Sequence, residues 1–556
     1  MVRGLTLPLV LLAALTFLVG LGRGSITDSD EAFYAEAARE MVASGDALTP
    51  HFNYEPRFQK PILYYWLTAG TYLATGPTEA SARLWAALSG IGLVLITAAC
   101  ARRWFDDGIG LLAGAIVATS FGYYSIGRMA LPDLPLTFFI TLAIWAAWVT
   151  LLEVDRNRTP WVLLAAVAMA LAFLTKGPVG VLIPLLVVVP VVLLERRRLD
   201  LTPQHLLVGA LIFAAVALPW YGLMWLRHGD AYLEGFFVGD NFERFATDRF
   251  NDPRPWWFYL PVVAGGLLPW TPLALVWWSP VWRFVTRRRD IETLELRLIL
   301  WAAIPLLFYS LSVGKQPRYV LPVLPPLAIL LAVSVLERTR DWRSLDGARV
   351  RVRRPMSIAA GAVVAGVGLA GLAALLWRAE PLLINVATGY SRAAAIVIGV
   401  AGTVVAVVGA SGAWRRTPVA LALAAAVTFP ALQYGALSGS GEGTVEQVAR
   451  VVAAERTAGE PVGTHHVFVR NLVFYAHVPT TDIATAEHLR DFLGQDGRVL
   501  AVLPAEALAA YEQAGGAPVR RIAEFPYFNE AGIRLRTLLW PDPARDIERV
   551  VVVSNR

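Results

Sequence analysis

The chain has 556 residues, 56% hydrophobic and only 17% charged, with a mean hydropathy of +0.53, whereas a soluble domain carries about a quarter charged residues. The formal net charge of +6 comes largely from arginines in short connectors between apolar runs. There they set membrane topology and are no nucleic-acid signal. The single cysteine, Cys100, excludes an intrachain disulfide framework and sits in an apolar run unsuited to a thiol catalyst.

Taken in order, the apolar runs give about thirteen spans by length. They lie near 5–22, 80–101, 109–127, 134–152, 160–175, 178–194, 205–226, 257–279, 296–313, 319–336, 357–377, 393–413 and 417–437. Met1-Val2-Arg3 followed by Gly4–Leu21 resembles a signal peptide. No small-residue cleavage site follows it, so it is read as a retained first helix. The connectors alternate in character. Arg102-Arg103, Arg156 with Arg158, Arg196-Arg197-Arg198, Arg287-Arg288-Arg289, Arg338 to Arg354 and Arg415-Arg416 follow every second span. The positive-inside rule makes these cytoplasmic. The others then face outward: 23–79, Arg128–Asp133, Lys176-Gly177, 227–256, Gly314–Arg318, 378–392 and everything past about 438. Asn157-Arg158-Thr159 matches a glycosylation sequon but lies on the arginine-rich side and is discounted.

The outward segments hold the chemistry-bearing residues. Asp28-x-Asp30-Glu31 opens a helix predicted over Ala32 to Val42, amphipathic with Phe33, Ala37 and Met41 on one face and Glu36 and Arg39 on others. Its carboxylates could accept a proton or ligate a divalent cation, or simply cap that helix. Lys60-Pro61, before Tyr64-Tyr65-Trp66, could hold a phosphate or snorkel from a segment at the interface. Asp133 ends a short turn begun by Arg128. Lys176 lies between two apolar runs, where a cation is costly unless solvated or paired. Lys315, Arg318 and Tyr319 crowd another short turn, a cation clamp suited to charge developing on a departing phosphate. Asn241-Phe242-Glu243-Arg244-Phe245 says little alone.

After residue 438 the character changes. Gly439 to Gly443 reads as a linker and the rest as a small α/β unit. Val445 to Ala458 and Ala505 to Ala514 are predicted helices, Arg498 to Leu503 and Val551 to Val553 strands. His465-His466 lacks a third ligand at useful spacing and points to exposed or structural histidines rather than a metal site. The division is therefore a membrane domain over 1–438, with outer loops 23–79 and 227–256, and an extracytoplasmic α/β domain over 439–556.

As an ordered set, Asp30-Glu31-x-x-Tyr34-Ala35-Glu36, Lys60-Pro61 with Tyr65-Trp66, Leu174-Thr175-Lys176-Gly177, Arg244-Phe245, Pro255-Trp256-Trp257 and Lys315-x-Pro317-x-Tyr319 resemble the ArnT-like, protein-mannosyltransferase-related glycosyltransferases of GT-C type. The resemblance implies a polytopic α-helical enzyme of a bacterial inner membrane. It would move a sugar from a polyprenyl-phosphate donor to an outward-facing acceptor, whether lipid A, a glycan or a protein, among the membrane lipids and with no nucleic acid. It implies Asp30 and Asp133 as catalytic carboxylates. Lys60, Lys176, Arg244, Lys315, Arg318 and Tyr319 would hold the carrier phosphate, with Glu31, Tyr34 and Tyr65 as further candidates. Whether a divalent metal assists stays open. The chain departs from the lipid A aminoarabinose transferases at Gln59, where they carry glutamate, at Asn241, where they have a histidine nearby, and at Arg318, which replaces a smaller residue. The competing reading is a transporter or flippase for lipids or lipid-linked sugars. Such proteins place charges near the bilayer midplane and often carry inverted repeats, whereas these charges gather at one rim and no repeat is apparent. A non-catalytic scaffold whose tail binds a cell-wall partner is the third reading.

Overall fold

A computed structural model describes residues 3–152, 157–195, 202–247, 253–277, 293–339, 356–387, 389–437, 442–529 and 534–556. The arginines expected to mark cytoplasmic connectors at 156, 196–198, 287–289 and 340–354, and linker residues 439–441, lie outside these residues. Among the described residues nine helices are long and apolar enough to cross a membrane, or ten if one bent pair counts as a span. The protein is therefore a multi-pass α-helical membrane protein.

The expected number was higher because apolarity reports burial, not helix length. Thr6–Leu18, Asp107–Ala118 and Val179–Leu194 are apolar but short, below the roughly 20 residues that cover a bilayer core without distortion. The run read as one span at 257–279 is two helices, Trp256–Gly266 and Thr271–Trp277, bent by 108°. Pro269 lies in that break and lacks the N–H group a continuous helix needs. Helices Met356–Ala379 and Tyr390–Ala410 meet at Gly366 and Gly402, where a Cβ on either would run into the other's carbonyl oxygen. Small residues at a crossing let two backbones approach where lipid supplies no hydrophobic drive.

The first long connector is folded. Asp30–Ser44 is a helix, capped by the Ser29 side chain and ended by Gly45 at φ 73°. The N-cap is thus Ser29, and Asp30 is the first helical residue. The helix is not amphipathic as expected. Glu31, Glu36, Arg39 and Glu40 are buried along with its alanines. They survive burial by pairing: Arg39 clamps Glu36 through two hydrogen bonds of 2.7 and 2.6 Å, and Arg83 donates to Glu31 at 2.7 Å. Periodicity failed here because paired charges are tolerated inside, where lone ones are not. A hairpin follows, β1 (His51–Phe52) and β2 (Glu55–Pro56), then the helix Leu63–Thr75.

The C-terminal residues build a five-stranded mixed sheet from β3 (Val462–Thr464), β4 (Thr480–Asp482), β5 (Leu500–Pro504), β6 (Arg520–Tyr527) and β7 (Glu548–Ser554), in the order β4-β3-β5-β7-β6. β3 runs parallel to β4 and β5, while β7 is antiparallel to β5 and β6. Alternation along β7 feeds two cores. Val550 and Val552 pack with Val445, Val448 and Val452 of the helix Thr444–Glu455. Val551 and Val553 pack with Leu489, Phe492 and Leu508 from helices on the opposite face. His465 is buried with its ring nitrogen 2.6 Å from the Ile483 carbonyl. No metal-binding group of three acids, histidines or cysteines exists among the described residues. The sheet is tied to the first connector. The Asp28 carboxylate accepts from the Val469 and Arg470 amides. Asn53 exchanges two 2.8 Å bonds with the backbone of Thr480. Tyr475 receives the Ile26 amide and donates to Glu79.

Candidate active site at the rim of the helix bundle

Segments far apart in sequence converge on one cavity of about 420 Å³. Its polar end carries Lys60, Asp133, Lys176, Asp240, Arg244, Arg318 and Tyr319, and its other walls include Leu136, Val179, Leu182, Phe237, Phe242 and Phe308.

Backbone geometry presents the charges. Asp133 begins the helix Asp133–Leu152, and Lys176 ends the helix Thr159–Lys176. Each charge therefore faces the helix pole that favours it. Gly177 stops the second helix at φ 79°, and a Cβ there would meet the Phe236 ring at 2.7 Å. Lys176 donates to Asp133 at 2.6 Å and its ammonium lies 4.6 Å from the centre of the Tyr319 ring. Arg318, on the 3₁₀ turn Pro317–Val323, pairs with Asp30 and reaches Asp133 at 3.4 Å. Its guanidinium bridges the two carboxylates. Asp133 is buried, while the Asp30 side chain is 43% exposed.

A second cluster joins the first connector to the segment after residue 228. Lys60 pairs with Asp240. Arg244 holds the same carboxylate at 2.6 and 3.0 Å and lies 3.5 Å from the Tyr319 hydroxyl. Asp240 stands on the π-helix Glu234–Glu243, buried among cations. Sequence reasoning missed it. The available signal was an acid four residues before Arg244, the spacing at which helical side chains meet.

The electrostatics are asymmetric. Burial raises the Asp30 pKa, but Arg318, Lys60 and Arg244 outweigh it and hold the carboxyl below its ordinary range. Burial depresses Lys60 to about 8, helped by Arg244 and Lys176 and opposed by Asp240. Asp30 is thus an ionised carboxylate near neutral pH, and Lys60 a cation that titrates just above it.

Other expected site residues lie elsewhere. Lys315 is buried and spends its ammonium on the carbonyls of Ser312 and Arg254, and it does not itself line the cavity. Glu31 is fully buried and accepts from Arg83, the Thr27 amide and the Ala130 amide. It joins the first connector to the turn before Asp133 and is not among the residues that line this cavity. Tyr34 stacks on Tyr65 at 5.4 Å and sits edge-on to Tyr64, supporting the helix that carries Asp30. Arg128 caps the Thr16 and Phe17 carbonyls and bonds to Gln433.

The chain resembles known proteins in sequence and in fold. Residues 25–228 match the family model of the dolichyl-phosphate-mannose-protein mannosyltransferases, and residues 247–394 that of the Alg9-like mannosyltransferases. The chain is similar to an undecaprenyl phosphate-alpha-4-amino-4-deoxy-L-arabinose arabinosyl transferase of Pseudomonas fluorescens, 33% identical over 67% of this chain and 61% of that one. A namesake from Edwardsiella ictaluri is 32% identical over 67% of this chain and 65% of its own. The matched stretch thus spans under two thirds of these relatives. The crystal structure of ArnT from Cupriavidus metallidurans bound to undecaprenyl phosphate is 23% identical, with a TM-score of 0.72 over 100% of this chain and 99% of that one. The oligosaccharyltransferase AglB of Archaeoglobus fulgidus follows at a TM-score of 0.53 and 12% identity, over 95% and 73%. Both likenesses concern the fold.

Proposed function

We propose that this chain, which has the fold of ArnT and resembles the protein mannosyltransferases over residues 25–228, is an ArnT-like enzyme that transfers a sugar from a polyprenyl-phosphate donor to an acceptor hydroxyl. The acceptor class is lipid A, a glycan or a protein. The observation that carries the reading is the convergence of Asp30, Lys60, Asp133, Lys176, Asp240, Arg244, Arg318 and Tyr319 at the polar end of a cavity with apolar walls. An isoprenoid chain suits such walls, and a phosphodiester suits the cations.

In the reaction, the acceptor oxygen attacks the anomeric carbon while the bond from that carbon to the phosphate oxygen breaks. The hydroxyl proton passes to Asp30, and polyprenyl phosphate leaves. Asp30 is the more exposed acid and meets an acceptor arriving from water. A well-placed base of this kind contributes about 10²–10⁴-fold. Lys60, Arg244 and Tyr319 face the charge growing on the phosphate, the preorganised stabilisation that dominates such steps. Asp133 orients Lys176 and Arg318 rather than taking a proton. Attack opposite the leaving phosphate inverts the anomeric carbon, by analogy with single-displacement glycosidases. Activation resides in the donor, so the scheme calls for no nucleotide site.

The chain would lie in the bacterial inner membrane with this cavity facing the periplasm, a sidedness that rests on the arginine-rich connectors of the opposite set. The division into a membrane domain over 1–438 and a periplasmic α/β domain over 439–556 belongs to the same proposal. The test is the purified chain in detergent with a polyprenyl-phosphate sugar and an envelope-lipid acceptor. Sugar appearing on the acceptor with release of polyprenyl phosphate is expected. Passage of intact donor across vesicles without transfer would replace the reading by the flippase.

A further inference from the structure

The carboxylates around the cavity are already committed. Among the described residues lining it the acids are Asp133 and Asp240. Asp133 holds Lys176 at 2.6 Å and Arg318 at 3.4 Å. Asp240 holds Lys60 and Arg244. Asp30, at the rim, pairs with Arg318. Four cations thus pair with three carboxylates, and Arg57 adds its positive charge to the field at Asp30, an excess that favours a phosphodiester anion. An ammonium group arriving on the sugar would find each acid occupied and would add to that excess. The place where it would sit most naturally, between Asp30 and Asp133, is filled by the Arg318 guanidinium.

We propose that Arg318 is a specificity-determining residue that makes this chain select a donor carrying a neutral sugar and reject one carrying an amino sugar. The proposal rests on the transferase reading given above. Arginine stays protonated at every relevant pH, so the exclusion is permanent rather than pH-gated. Its N–H groups donate to sugar hydroxyl oxygens but repel a second cation, which is discrimination by an introduced repulsive element. Relatives at about a third identity are named for a 4-amino-4-deoxy sugar. This chain would then have kept their fold and left their donor.

The full chain in detergent tests this by direct binding of two probes at pH 7, undecaprenyl phosphate-linked arabinose and its 4-amino-4-deoxy analogue. Wild type and Arg318→Lys should bind the neutral donor at least about tenfold more tightly, equivalent to about 1.4 kcal/mol. Arg318→Ala should shrink that preference below about threefold by opening Asp30 and Asp133 to the amine. Should Arg318→Ala fail to fold, Arg318→Gln carries the same comparison. Equal or tighter binding of the amino donor by wild type overturns the proposal. So does an undiminished preference after arginine is removed, and so does absence of binding by either probe. A neutral-sugar preference without sugar transfer would sink the transferase reading and leave the selectivity standing.

Discussion

Replacing Lys60 by arginine separates charge from proton at the polar end of the cavity, where the carrier phosphate is proposed to bind. Lys60 is enclosed, paired with Asp240, and held down to about 8 by burial and by Arg244 and Lys176. A free lysine titrates near 10.5, so the site penalises the charged form by about 3 kcal/mol. The sign follows directly. Below about 8 the ammonium is present and attracts phosphate, and above it the attraction fades. Between pH 7 and pH 9 the protonated fraction falls about tenfold. kcat/KM for the polyprenyl-phosphate donor reports the free enzyme's ionisations. It should fall about tenfold over that interval in wild type. Arginine cannot lose its proton there. Lys60→Arg, normalised to its own value at pH 7, should therefore stay flat to pH 9. Glu40 also titrates near 8, pushed up by burial and by Glu36, so Glu40→Gln serves as control and should retain the wild-type break. The assay is initial-rate transfer from a radiolabelled donor across pH 6 to 10. Superimposable profiles for wild type and Lys60→Arg would refute a phosphate role for Lys60, as would a break that disappears in Glu40→Gln.

Three further outcomes are expected. Asp30→Asn should lower kcat by about 10²–10⁴-fold while donor binding changes little, since the amide keeps the size but cannot take a proton; activity near wild type would remove Asp30 as the base. Glu31→Gln should cost about 1.5–3 kcal/mol by taking the counter-charge from the buried Arg83 guanidinium, which keeps only the neutral carbonyls of Leu21, Arg23, Gly24 and Ser25, seen as a lower unfolding temperature in detergent, and an unchanged temperature would contradict a structural role. Glu40 has its folded pKa raised from 4.5 to about 8, so its protonated form favours folding below 4.5 and that contribution is lost as pH rises through 8. Glu40→Gln should then gain thermal stability over wild type at pH 6 and about twice as much at pH 9, because the loss begins above 4.5 and is complete only above 8, and identical shifts at both would show that Glu40 does not titrate there.

The sequence by itself determined the membrane class, the positions of most spans and the α/β character of the C-terminal residues, and it singled out Asp30, Lys60, Asp133, Lys176, Arg244 and Arg318, which the fold brings together. Each of these is a local or sign-based property. Apolar runs follow from the cost of polar groups in lipid, and cations in connectors outside the arginine-rich set are conspicuous in one dimension. Strands such as Leu500–Pro504 were legible because two-sided burial makes them uniformly apolar.

Partnerships were decided only in three dimensions. No local pattern says that Lys60 meets Asp240 across 180 residues, or that Arg318 reaches back 288 residues to Asp30. The same holds for the burial of Glu31, Glu36 and Glu40, which by composition belonged on a wet face. Lys315 carries the same charge as Lys176, yet the fold turns one into backbone carbonyls and the other onto a carboxylate at the cavity. The free energy of a charge in a protein depends on what lies within a few ångströms of it, and that neighbourhood is assembled from segments the chain itself keeps far apart.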